Sequence, residues 1–152
     1  WTVFENAVCQ VTHELATKLV EDAEGASKFV TVTVTGAISQ EDAHKTTRAV
    51  ANSLLVKTSW YGCDPNWGRV IDAIGYSGAE VNEELIDIRY NDLYAVRNGM
   101  AAEDATLADL EAVLAKDRFV LNIDLNLGDH TDTIYTCDCS EEYVRINSAY
   151  MT

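Results

Sequence analysis

Apolar residues recur at Phe4, Val8, Val11, Leu15 and Leu19. Steps of three and four place them on one side of a helix, so the chain begins inside or just before an amphipathic helix that ends around Asp22 to Gly25. The period then changes. Phe29 to Thr35 reads FVTVTVT, alternating β-branched residues that predict a strand with Val30, Val32 and Val34 on one face. Ser39, with Asp42 three positions on, resembles a capping box and starts a helix running to about Ser53. Leu55 to Trp60 is a short strand candidate closed by the turn from Gly62 to Pro65. From about Trp67 to Tyr76 a helix carries Val70, Ile71 and Ile74.

The second half continues the alternation. Ile86 to Tyr90 and Leu93 to Arg97 predict a hairpin across Asn91-Asp92. Thr106 to Lys116 is a helix with Leu107, Leu110, Val113 and Leu114 on one side. Phe119 to Leu125 and Thr133 to Asp138 are late strands around a turn at Gly128, and a short final helix starts after Ser140. The order mixes α and β too irregularly for a clean βαβ repeat. The fold class is therefore α/β or α+β. With 152 residues, a single proline and scattered glycines, the chain reads as one compact unit spanning 1–152, without an internal linker.

Charge narrows the function classes. Twenty-five acidic residues against eleven Lys plus Arg give a net charge of −14, which repels phosphate backbones and anionic lipid. Nucleic-acid and membrane-surface partners are disfavoured. Apolar runs are short and broken by charge, well below the ~20 residues of a membrane span. Cys9, Cys63, Cys137 and Cys139 occur in a chain large enough to fold without disulfides. Reduced thiols, packed as small buried hydrophobes, and a cytoplasmic location are the expectation.

Generic catalytic motifs are incomplete. His13-Glu14-Leu15-Ala16-Thr17 lacks the second imidazole that a zinc-protease helix needs one turn on, so His13 reads as a surface helix residue. Cys137 and Cys139 would share one face of a strand, but no second paired spacing completes a four-ligand zinc site. Gly75 and Gly78 make only a G-x-x-G at a helix end. No metal and no bound cofactor is expected.

Two local features carry more chemistry. In VEDAEGASKF, Val20 to Phe29, acids, a glycine and a lysine crowd a helix-to-strand turn. The plain interpretation is a solvated acidic turn with Gly25 at the C′ position of the helix. The functional one makes Glu24 the anionic partner of a substrate ammonium group. In Asp64-Pro65-Asn66-Trp67-Gly68-Arg69, Asp64 or Asn66 could cap a helix while Pro65 fixes a turn and Trp67 packs. That segment reads first as a structural corner.

Together with ANSLLVKTSWYGCDPNWGRVIDAIGYSG and the terminal YTCDCSEEYVRINSAYMT, this turn closely resembles the ornithine acetyltransferase family, the glutamate N-acetyltransferase of arginine biosynthesis. The resemblance is ordered and spans essentially the whole chain. It implies the C-terminal portion of the β chain of a self-processing, N-terminal-nucleophile-like fold related to aminopeptidases. It also implies a ping-pong transfer of acetyl from N-acetylornithine to glutamate through an acetyl-threonine, with acetyl-CoA an additional donor in bifunctional members. Glu24 matches the family's substrate-binding glutamate, and Asn147 and Thr152 match the C-terminal pair that reaches back into the substrate site. DAEGASKF stands here where many relatives have a DGEGATKF-like turn.

One departure is large. In the family the nucleophilic threonine opens the β chain well upstream of that turn, and the oxyanion hole belongs to the α chain. Neither has a counterpart here. No catalytic residue is therefore assigned within this chain, which is expected to be inactive alone. Its implied partners are the N-terminal α chain and the remainder of the β chain, in a heterotetramer of two α and two β chains. A eukaryotic source would move the location to a mitochondrion or plastid. The alternatives are a non-catalytic amino-acid-binding or structural module, and an amidase or aminopeptidase on the related fold.

Overall fold

Strand β1 (Phe29–Ala37) shows how the alternating pattern builds the molecule. Val30, Val32 and Val34 are completely buried, whereas Thr31, Thr33 and Thr35 on the opposite face are only half-covered. The structure, a computed structural model, describes residues 1–149. In it β1 pairs in parallel with β5 (Arg118–Asp124) and antiparallel with β6 (His130–Cys137). The hairpin of β2 (Asp87–Tyr90) and β3 (Leu93–Arg97) adds to the far side of β5, and β4 (Met100–Ala101) closes that edge. The six-stranded order is β4-β3-β2-β5-β1-β6. Asn91 holds the hairpin turn at positive φ, and its side chain accepts a bond from the Val120 amide at 2.8 Å. The turn is thereby tied to β5.

One face of this sheet carries the helices that build the core. Phe119, Leu121 and Ile123 from β5 and Ile88 and Tyr90 from β2 join the β1 valines in the core. Helix α2 (Gln40–Asn52) crosses β1 and β6, burying Ala43, Thr46, Thr47, Val50 and Ala51. Ser39 caps it as expected, accepting from the Asp42 amide at 3.1 Å. Helices α4 (Trp67–Gly75) and α5 (Leu107–Leu114) add Val70, Ile74, Leu110 and Leu114 to the same core. The mixed α/β class is the observed one.

Residues Leu54–Tyr61 form helix α3, not a strand. A short apolar run fits either period, and two features decide it. Ser53 caps the segment, accepting from the Val56 amide at 3.5 Å. Val56, Ser59 and Trp60 are all buried, and steps of three and four place them on one helix face. Arg69 of α4 then donates to the Leu55 carbonyl at 2.8 Å and to Thr58 Oγ1 at 3.2 Å. Asn66 caps α4, so the DPNWGR segment is a structural corner that stitches two helices together. Beneath it Tyr90 is buried, and desolvation, helped by the Asp64 charge, pushes its phenol well above the ordinary value.

Helix α1 (Thr2–Glu21) lies apart: none of its residues is buried. It touches the sheet at β6, where His13 meets Tyr135 edge-on at 5.3 Å and Tyr135 stacks on Phe29 at 5.6 Å. Tyr135 lies opposite Thr31 on the half-covered face, away from α2. The expected burial of the thiols does not hold. Cys9 is exposed on α1, and Cys63, Cys137 and Cys139 are half-buried; all four are free. Cys137 ends β6 and Cys139 lies beyond it, so the two do not share a strand face.

Candidate functional site

The last part of the chain returns to the turn after α1. Helix α1 stops at Glu21 with Asp22 as its C-cap, so Gly25 lies past the C′ position expected for it. Gly25 has φ +68°, and a Cβ there would sit 2.6 Å from the Tyr143 amide nitrogen in α6 (Glu141–Ser148). The glycine thus serves a close helix approach as well as a left-handed turn. Asp138, 4% exposed, clamps the other side of the turn. It accepts the Ser27 and Lys28 amides at 2.9 and 3.1 Å and the Ser27 hydroxyl at 2.5 Å. Ser140 caps α6, accepting from the Tyr143 amide at 3.1 Å, and donates its hydroxyl to the Gly25 carbonyl.

This clamp brings two of the sequence-assigned residues together. Asn147 Nδ2 donates to Glu24 Oε1 at 2.8 Å, across 123 positions of chain, and to its own helix at the Tyr143 carbonyl, 2.9 Å away. Both side chains are exposed to solvent at the rim. Glu24 retains acceptor capacity and Asn147 retains its carbonyl oxygen. Thr152, the third assigned residue, lies outside the described residues. In the first turn of α6, hydrogen bonds from Arg145 hold the Glu142 carboxyl below its usual range and help fix the helix that carries Asn147.

A cavity of about 170 Å³ opens beside this pair, lined by Glu24, Leu54, Lys57, Cys137, Asp138 and Tyr143 among others. No sequence motif marks Lys57 or Asp138 as a site residue. Lys57 falls in an apolar run that predicts a strand, and Asp138 lies between two cysteines whose spacing suggests a metal pair first. The helical steps from Val56 to Trp60 were the available signal for the first; nothing local marks the second. A larger hollow of about 310 Å³ lies behind the turn, near Lys28 and Arg118. Its cations are occupied: Lys28 Nζ donates to the Leu114 carbonyl at 2.7 Å, and Arg118 pairs with Glu21. Among the described residues no group of three or more His, Cys, Asp or Glu is arranged to hold a metal, and no helix is long and apolar enough to cross a membrane.

The arrangement has close counterparts. The model of the ArgJ family matches residues 1–152. The chain is 46% identical to the glutamate N-acetyltransferase of Methanocaldococcus jannaschii, over 98% of its own length and 39% of that protein's. It is also 46% identical to the arginine biosynthesis bifunctional protein ArgJ of Geobacter sulfurreducens, over 94% of its length and 36% of the relative's. A crystal structure of the arginine biosynthesis bifunctional protein argJ from Bacillus halodurans superposes with a TM-score of 0.93 at 37% identity, covering 99% of this chain and 70% of that one. The chain thus spans about two fifths of the length of the curated relatives it matches.

Proposed function

This chain belongs to the ArgJ family, and on that premise we propose that it forms the substrate-binding wall of an enzyme moving acetyl from N-acetylornithine to glutamate in arginine biosynthesis. In this reading a threonine hydroxyl, on sequence outside the chain, attacks the acetyl carbonyl and ornithine leaves as the amine. The threonine ester then passes acetyl to the amine of glutamate, regenerating the hydroxyl. Donors on the α chain stabilise each tetrahedral intermediate, and the closed site keeps water from the ester. Glu24 receives a substrate ammonium, while Asn147 and Thr152 bind carboxylate and amide groups. Acetyl-CoA enters as an additional donor through residues beyond this chain.

The observation that supports the reading most directly is the Glu24–Asn147 hydrogen bond beside a cavity. It joins two family-matched residues from opposite ends of the sequence, held by a turn and a helix that the Asp138 clamp fixes in place. The proposed partners are the α chain and the remainder of the β chain, in a heterotetramer of two of each. The uncovered apolar side of α1 and the half-covered sheet face suit such partners. The proposed location is the cytoplasm.

The assembly containing this chain, incubated with N-acetylornithine and glutamate, is expected to form N-acetylglutamate and ornithine. The isolated chain is expected to form none. Turnover by the isolated chain would place the nucleophile within it, and an inert assembly would remove the transferase reading.

A further inference from the structure

Lys57 stands on the cavity wall with its charge unanswered. Helix α3 places Leu54 and Lys57 one turn apart, and both line the cavity beside Glu24. The Cys139 amide donates to the Lys57 carbonyl at 3.3 Å, so the lysine's backbone is tied to the segment that carries Asp138. The lysine is half-buried, and its ammonium has Cys137 Sγ at 3.8 Å, a weak acceptor. Among the described residues no carboxylate lies within ion-pair distance of it. The two acids on the same wall are engaged elsewhere: Asp138 by Ser27 and Lys28, Glu24 by Asn147. A half-buried lysine without a counterion favours an incoming anion.

The proposed reaction supplies a reason for such a group. A ping-pong transferase shows one site to two amino acids in turn. The side chain of ornithine ends in an ammonium and that of glutamate in a carboxylate. Glu24 alone would attract the first and repel the second. We propose that Lys57 is a specificity-determining residue that pairs with the side-chain carboxylate of the acceptor glutamate, opposite the ammonium-binding Glu24. The assignment rests on the acetyl-transfer reading above. The cavity then holds one group of each sign, and each substrate meets an opposite charge without a change of fold.

The two half-reactions separate this role from a structural one. In the full assembly, acetyl-enzyme formation from N-acetylornithine is followed by intact mass, and acetyl release to glutamate is followed separately. Lys57→Met is expected to raise the KM for glutamate about tenfold or more while changing that for N-acetylornithine less than about twofold. Lys57→Arg, which keeps the charge, is expected to restore most of the glutamate affinity. Lys57→Gln serves if the methionine variant does not assemble. Equal effects on both substrates, or no effect on either, overturn the Lys57 assignment alone. A wild-type assembly that transfers no acetyl overturns the underlying reading and the assignment with it.

Discussion

Helices α1 and α2 are both amphipathic, yet the more apolar of the two is the one left uncovered. Helix α2 buries a face of small and polar residues, Ala43, Thr46, Thr47, Val50 and Ala51, against β1 and β6. Helix α1 offers Phe4, Val8, Val11, Leu15 and Leu19, and Leu19 stays 77% exposed. Small residues suit α2 because its axis must come close to the sheet, and Thr47 can return its hydroxyl to the Ala43 carbonyl at 2.6 Å. Helix α1 carries larger side chains that the other described residues leave largely uncovered. An amphipathic pattern states that a face needs cover; it does not say whose.

Several substitutions would break or sharpen that contrast. Trp60→Ala, at a fully buried position on the inner face of α3, should cost about 3–5 kcal/mol in urea unfolding. Leu19→Ala in the chain alone should stay within about 0.5 kcal/mol. Similar losses at the two sites would mean that α1 packs against something within this chain. Asp138→Ala removes a buried acceptor of three bonds and should cost ~3 kcal/mol, with loss of acetyl transfer in the assembly as Glu24 is released.

The next effects are smaller. Gly25→Ala should cost about 1–3 kcal/mol through its left-handed φ and its approach to Tyr143. A drop in N-acetylornithine affinity of the assembled variant would show that the strain reaches Asn147. On α1, Leu15→Asp with Leu19→Asp should leave the chain's own unfolding nearly unchanged. Association with its partners should weaken about tenfold or more for each leucine that the interface buries. Unimpaired association, read by analytical ultracentrifugation, would mean that the partners cover another face.

The smallest effect is electrostatic. Thr106 bonds hold the Asp109 carboxyl below its usual range at the start of α5. Because the folded value is the lower one, this stabilisation is complete above the unfolded carboxylate range and is lost as pH falls through the folded value. The urea midpoints of wild type and Thr106→Ala should therefore differ at neutral pH and converge on acidification. A constant difference would assign the effect to the cap hydroxyl rather than to the ionised carboxyl.

Local chemistry was largely readable along the chain. FVTVTVT is a strand because β-branched residues at alternate positions suit a half-buried pleat, and Ser39 with Asp42 opens a helix as the spacing predicts. Asn91 makes the hairpin turn. The error at Leu54–Tyr61 arose because a short apolar run carries both periods until burial selects one. From its near neighbours Gly25 looks like a helix terminator, because its neighbour in space, Tyr143, is far away in sequence.

The same limit governs the site. The sequence by itself determined most of the elements, the Ser39 cap and the excess of negative charge, and its resemblance pointed to Glu24 and Asn147 as residues to look for. These follow from preferences between near neighbours. Only the tertiary structure decided that Asp138 clamps the Glu24 turn, that Lys57 faces the same cavity, and that the stripe of α1 remains open. Those outcomes depend on which distant segments the closed chain brings together, where desolvation and long-range hydrogen bonds, rather than local spacing, set the free energy.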